Sequence, residues 1–183
     1  MAALVMFQAS PAYEEVIPIL MKWLPRVSRP DCKAAIARAL TSPKARPQAA
    51  SVLLDEYRRT NDIGPNSVRW VMGNALETVA DDSVFDRVEA ILRNPTYGED
   101  RDMLVRSLIR GRKNPRAVPL LRDLLDDPDI GGMAAYVLVR RGVMDIDEQV
   151  DRLAKDPNEF VSYWAGRARE LVVKRRAKAS GVE

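Results

Sequence analysis

The 183-residue chain contains no histidine, and the exclusion is wide. Ser-His-Asp and Cys-His catalysis fall away, together with every His-containing zinc site and the commonest general base. A single cysteine, Cys32, rules out both an internal disulfide and a thiolate metal cluster, and makes a reducing cytoplasm the expected compartment. No apolar run approaches the ~20 residues needed to span a bilayer, so no membrane role is expected. The opening Met1-Ala2-Ala3-Leu4-Val5-Met6-Phe7 is too short for a signal peptide and lacks a basic leader. There is no Gly-rich phosphate loop; Gly131-Gly132 reads as a helix entry. Any chemistry would have to run on Asp, Glu, Lys, Arg or Tyr. The balance is against an enzyme, with no metal and no cofactor expected.

Aromatic residues are also scarce, at 6%, while Ala, Leu, Val and Arg are plentiful, which favours helix over sheet. The hydrophobic fraction of 46% with 30% charged residues is that of a folded chain. Pro and Gly divide it into segments as long as short packed helices. Helices are expected at Tyr13–Val27, Asp31–Thr41, Arg46–Arg59, Asn66–Ala80, Ser83–Arg93, Asp100–Arg110, Pro115–Asp126, Gly131–Arg141, Asp147–Lys155 and Glu159–Lys178. Asn66 and Ser83 can cap, Asp31 follows Pro30, and Pro115 suits a first turn. Val16, Ile19, Leu20 and Trp23 share one face, as do Val118, Leu121, Leu124 and Leu125. Trp23 and Trp164 are expected in the core.

The segments repeat. Every second helix opens near Asp31, Asn66, Asp100, Asp129 or Asn158, a period of about 29 to 35 residues, which is in solenoid range. Equivalent openings are Cys32-Lys33, Val68-Arg69, Asp100-Arg101, Ile130-Gly131 and Val161-Ser162, each followed by small or apolar residues such as Ala35-Ile36-Ala37 and Met133-Ala134-Ala135. Such residues let neighbouring helices pack closely. The expected fold is all-α, an α-solenoid of about five stacked antiparallel helix pairs in a single domain over 1–183. Its repeats fall roughly at 11–43, 44–80, 81–113, 114–142 and 143–178, with a basic tail over 174–183.

The stretch Pro115 to Asp129, ending in Asp127-Pro128-Asp129, together with Asp156-Pro157-Asn158 and Val68-Arg69, resembles the short HEAT repeats of the phycobilisome-lyase type. Their pattern is a helix ending in Asp-Pro-Asp, then Val-Arg, then an Ala-rich helix. The resemblance covers roughly residues 11 to 173. Arg29-Pro30-Asp31 fits the turn more loosely, the third repeat lacks the proline turn before Gly98, and Gly131 and Ser162 stand where the pattern has Arg. It implies a fold and leaves function open, because the repeat serves scaffolds, adaptors, lyases and inhibitors alike. A bilin-lyase role follows from family analogy alone; nothing in the residues marks a tetrapyrrole site.

A solenoid offers a concave face lined by the second helix of each pair. The outward places there are Ala34 and Arg38, Trp70 and Asn74, Asp102 and Arg106, Gly132 and Tyr136, and Tyr163 and Arg167. Trp, Tyr and Arg are enriched at interface hot spots, because they bury much area at low entropy and also donate hydrogen bonds. Arg38, Trp70, Asn74, Asp102, Arg106, Tyr136, Tyr163 and Arg167 form the expected partner-binding groove. The competing reading is packing plus solvated charge, with Trp70 turned inward between repeats and Tyr163 covered by the final helix.

Charge is unevenly spread. Residues 1–60 carry nine basic and five acidic groups, a net of +4, while the remaining 123 residues net −1. The overall +3 is too modest for dedicated duplex binding, where about 6 to 10 phosphate contacts are usual. Arg167, Arg169, Lys174, Arg175, Arg176 and Lys178 form a closing basic run that suits either an acidic partner or a solvated last helix. Arg106, Arg110, Arg112, Lys113 and Arg116 form a second cluster, half of which suits a helix C-terminus. Asp81-Asp82, Asp126-Asp127 with Asp129, and Asp145, Asp147 and Glu148 lie at helix junctions, where carboxylates cap amides; none has calcium-loop spacing.

The function these features point to is a non-enzymatic scaffold or adaptor that holds another protein on its concave helix face, an inhibitor or immunity-type protein included. The alternative is a nucleic-acid binder. Asp102 beside aromatics and arginines is similar to the surface of HEAT-like alkylpurine DNA glycosylases, with Trp70, Tyr136 and Tyr163 stacking on bases. At the other end, Leu4, Val5, Met6 and Phe7 precede the first pair without a polar cap. Three arrangements are open there: the segment folds back, it meets another subunit, or the natural chain continues upstream.

Overall fold

The computed structural model describes Met6, residues 8–62, Gly64, residues 67–110 and residues 114–180. Among these the structure is all-helical. Ten α-helices run Tyr13–Trp23 (α1), Pro30–Ala39 (α2), Gln48–Arg59 (α3), Val68–Val79 (α4), Phe85–Leu92 (α5), Asp102–Ser107 (α6), Ala117–Asp123 (α7), Gly131–Arg141 (α8), Asp147–Leu153 (α9) and Glu159–Ala179 (α10). Each expected helix has its counterpart, mostly trimmed by one or two residues at an end. Leu24–Arg26 and Leu124–Asp126 continue α1 and α7 as 3-10 turns. The sixth helix differs more: Pro95–Arg101 is 3-10, broken at Gly98 (φ 54°), and regular α-helix begins only at Asp102.

Local chemistry explains the ends. Pro30 stands in the first turn of α2. Ser67 accepts from the Trp70 amide at 3.0 Å and opens α4; Asn66, the expected cap, lies outside the described residues. Asp81, rather than Ser83, caps the turn before α5, accepting from the Ser83 amide at 3.0 Å. Asn158 caps α10 through Phe160 N at 2.9 Å. α8 stops at Gly142, whose φ of 97° admits the left-handed turn; Val143 N then reaches back to Leu138 O at 3.0 Å.

The chain divides into two compact units, Met1–Ile91 and Leu92–Glu183. In the first, α4 packs on both α2 and α3, and α1 touches α2 and α3. Its core holds Tyr13, Ile17, Leu40, Leu53, Tyr57, Met72 and Leu76, all essentially free of solvent. The buried face of α1 is therefore Tyr13–Ile17, not the expected Val16–Trp23 stripe. Ile19 is 53% and Trp23 52% exposed, because α2 and α3 meet only the other side of the helix. Trp23 is thus not a core residue. Gln8 donates from Nε2 to the Ala39 and Thr41 carbonyls at 3.2 and 3.1 Å, satisfying the frayed end of α2.

In the second unit α8 is the centre, packing on α6, α7, α9 and most extensively α10. The two helices lie against each other, with Met133, Ala134, Val137 and Leu138 of α8 and Val161, Ala165 and Ala168 of α10 all buried in the core of the unit. Gly132 makes this possible. A Cβ built there would fall 2.8 Å from the Val161 carbonyl carbon and closer still to its oxygen. Glycine is required by the close approach of two backbones.

Three of the basic residues expected at second-helix openings, Lys33, Arg69 and Arg101, act as tethers in the structure. Lys33 ion-pairs with Glu56, which is 2% exposed. Arg69 is buried, donates to the Thr60 carbonyl, and stands 5.9 Å over the Tyr57 ring. Arg101 is fully buried and held by the Asp127-Pro128-Asp129 turn, at 2.7 Å from Asp127 and 3.1 Å from Asp129. In the second unit the Asp127-Pro128-Asp129 turn and the Arg101 cation are thus two halves of one contact. At Gly131 the same position is filled by backbone: an added Cβ would lie 2.8 Å from Leu125 O.

Candidate functional site

The eight residues expected in the groove divide between the units. Arg38, Trp70 and Asn74 belong to the first, where Arg38 is exposed on α2, and Trp70 and Asn74 are half-buried one turn apart on α4. Asp102, Arg106, Tyr136, Tyr163 and Arg167 belong to the second.

Within the second unit the structure brings Arg106, Tyr136 and Tyr163 onto one residue, Trp164. The Tyr136 ring centre lies 5.1 Å from that of Trp164, tilted by 53°; Tyr163 meets it nearly edge-on at 5.2 Å, and Phe160 edge-on at 6.4 Å. The Arg106 guanidinium sits 5.7 Å over the same ring. Arg140, one turn beyond Tyr136, donates to its hydroxyl at 3.2 Å and lies 5.9 Å over its ring. Three helices, α6, α8 and α10, therefore supply one aromatic-arginine cluster. Its geometry is tilted and edge-to-face, as ring quadrupoles favour, with cations over the negative faces.

Trp164 was expected in the core. It is half-buried and the hub of the cluster, beside rather than on the Val161–Ala165–Ala168 stripe. No signal in α10 alone marks it, because Tyr136 and Arg106 come from other helices. Tyr163 is 59% exposed and uncovered by any helix, and Arg167 is exposed with Glu170 at 3.3 Å.

Asp102 is placed differently from the expectation. It is 4% exposed, and its carboxylate accepts from the Met103 amide at 2.5 Å, at the first turn of α6. Ala34 and Gly132, equivalent outward places, are buried too. Close helix packing takes these three positions out of solvent, whereas Tyr163, the position aligned with them on α10, is exposed and Trp70 is half-buried. Arg112 and Lys113 of the second basic cluster lie outside the described residues.

The acidic clusters are spent on structure. Asp127 and Asp129 hold Arg101, Asp126 meets Arg152 at 2.5 Å, and Asp147 meets Arg176 at 2.6 Å. Asp145 takes both oxygens to Arg122, which holds its carboxyl below the usual range. Among the described residues, no three His, Cys, Asp or Glu side chains converge as metal ligands, and no helix is long and apolar enough to cross a membrane. A polar cleft of about 400 Å³ is lined by Arg122, Leu125, Asp126, Glu148, Gln149 and Arg152; Arg152 pairs with Asp126, and Arg122 with Asp145 outside the lining.

No family model, curated protein or solved structure matches the chain.

Proposed function

We propose that the chain is a non-enzymatic binding protein that holds a partner protein on the second-helix face of stacked HEAT-like pairs. The observation that carries this reading is the cluster around Trp164. Arg106, Tyr136 and Tyr163, picked out by repeat position alone, converge there with Phe160 and Arg140. Aromatic rings already ordered by their neighbours lose little entropy on binding, and arginine at the rim supplies directed hydrogen bonds. The tethers at Lys33 and Arg101 and the packing of α4 on α2 and of α10 on α8 support the solenoid arrangement of the pairs. Arg38, Trp70 and Asn74 are the corresponding face of the first unit. A cytoplasmic protein with no cofactor accords with the single cysteine and the missing histidine.

The test is affinity capture from source cells, with and without nuclease, comparing the intact chain with a Tyr136→Ala/Tyr163→Ala variant that circular dichroism shows to be folded. The expected result is a nuclease-resistant protein partner lost in the variant. Capture unchanged in the variant would sink the reading, and capture abolished by nuclease would replace it with nucleic-acid binding.

A further inference from the structure

The last helix carries its cations unequally paired. Arg169 and Arg176, seven residues apart, point to α9 and meet Asp151 at 3.9 Å and Asp147 at 2.6 Å. Its other flank, on the α8 side, is built by Phe160, Trp164, Arg167, Leu171, Lys174 and Lys178 at alternating four- and three-residue spacing, one continuous helix face. No acid stands on that face. Glu170, at its edge, is taken by Arg167. Among the described residues Lys174 and Lys178 are exposed and have no ion-pair partner. α8 borders this flank with Tyr136 and Arg140 and contains no carboxylate at all. Arg175 reaches the Arg140 carbonyl at 3.1 Å, drawing the two basic ends together.

We infer that this flank binds an acidic peptide segment carrying one apolar or aromatic anchor: the anchor lies against Tyr163 and Trp164, and the carboxylates run along Arg167, Lys174 and Lys178. The inference rests on the reading of the Trp164 cluster as a partner-binding site and adds the chemistry of the occupant. From Phe160 to Lys178 the helix rises about 27 Å, which an extended segment of about eight residues covers. The aromatic end and the basic end are separate, so the anchor lies at one end of the segment and its carboxylates at the other. A single-stranded nucleic acid fits less well, because bases need open ring faces. Trp164 is already engaged by Arg106, Tyr136, Phe160 and Tyr163, which leaves Tyr163 as the exposed ring.

The experiment is selection of a random dodecapeptide library on the full chain. Recovered peptides are then measured by fluorescence anisotropy against the intact protein, Lys174→Gln/Lys178→Gln and Tyr163→Ala. All three positions are exposed, so thermal melts of the variants should match the parent. Expected are peptides that combine an apolar anchor with several Asp or Glu, bound about tenfold more weakly by the double lysine variant and more weakly still at raised salt. Tyr163→Ala should weaken the same peptides. Failure to enrich any peptide, or enrichment without acids or indifferent to the lysine change, overturns the inference. So does tighter binding of a single-stranded oligothymidylate of about 20 nucleotides in competition with the peptides. If acid-free peptides are enriched yet lost in Tyr163→Ala, the partner-binding reading stands and only the acidic occupant falls. If Tyr163→Ala changes nothing, both fall.

Discussion

Arg101 and Asp127 are joined by two parallel hydrogen bonds, Nη1 to Oδ2 at 2.7 Å and Nη2 to Oδ1 at 2.9 Å, with the guanidinium wholly out of solvent. Its remaining donors go to Asp129 at 3.1 Å, the Leu92 carbonyl at 2.9 Å and the Gly98 carbonyl at 2.8 Å. A buried charge is tolerable only when so completely paired, and removing one partner strands the other. Arg101→Ala should therefore lower the unfolding free energy by about 3–5 kcal/mol in urea denaturation. Arg101→Lys should recover only a minor part of it, since a point ammonium cannot reproduce the fork. A lysine variant as stable as the parent would show that charge alone, not planar geometry, holds the Asp127 turn.

Two glycines in the α8–α10 pair should respond oppositely to alanine. Gly132→Ala forces a methyl into the Val161 carbonyl group, and backbone must move; a loss of about 1–3 kcal/mol is expected. Gly166, in the middle of α10, has nothing within 4 Å of an added Cβ, so Gly166→Ala should raise stability by about 0.5–1 kcal/mol. Thermal melts of the two single variants check the sign of each.

Tyr13 is buried and donates from its hydroxyl to the Ala39 carbonyl at 2.7 Å. Burial, the larger influence, pushes its phenol above the ordinary value, against a smaller opposing hydrogen bond with Ser42. The folded state thus holds the proton more tightly than the unfolded chain. The corresponding stability is complete below the ordinary phenol pKa of about 10 and is lost as pH rises through the folded value. Denaturation midpoints should fall above about pH 10, and Tyr13→Phe should flatten that fall while costing about 1 kcal/mol at neutral pH for the lost hydrogen bond.

The opposite sign applies to Asp145. The hydrogen bonds from Arg122 hold its carboxyl below the usual range, so their contribution is present above the ordinary value of about 3.9 and disappears as pH falls through the folded one. The pair is exposed, and its effect on global stability is small. An NMR titration of the Asp145 carboxyl should show a midpoint below the ordinary aspartate value, returned upward by Arg122→Ala. An unmoved midpoint would mean that the two side chains are not paired in solution.

The helices were legible from the chain because their causes are local. Pro30, Asn158 and Gly142 act on amides and carbonyls within a few residues, and the ten segments follow from that punctuation. The Asp127-Pro128-Asp129 turn was equally plain, although its purpose was not. Only folding shows that Asp127 and Asp129 exist to neutralise Arg101, a contact spanning 26 and 28 residues. The face of α1 was misjudged because two apolar stripes, Tyr13–Ile17 and Ile19–Trp23, run side by side. Nothing within one helix says which neighbour will arrive to cover it.

The candidate site shows the same division. Expected repeat positions pointed to Arg106, Tyr136 and Tyr163, which the structure gathers at Trp164. The same positions also included Asp102 and Gly132, which close helix packing takes out of solvent. Nor could they reveal Trp164 as the meeting point. All-helical character and most helix ends were determined by the order of residues, because hydrogen bonds within a turn need no partner from elsewhere. Which side of each helix meets water, and which rings meet one another, was decided by tertiary packing. Helix separation at Gly132 and Val161 sets those distances, and no single segment carries that information.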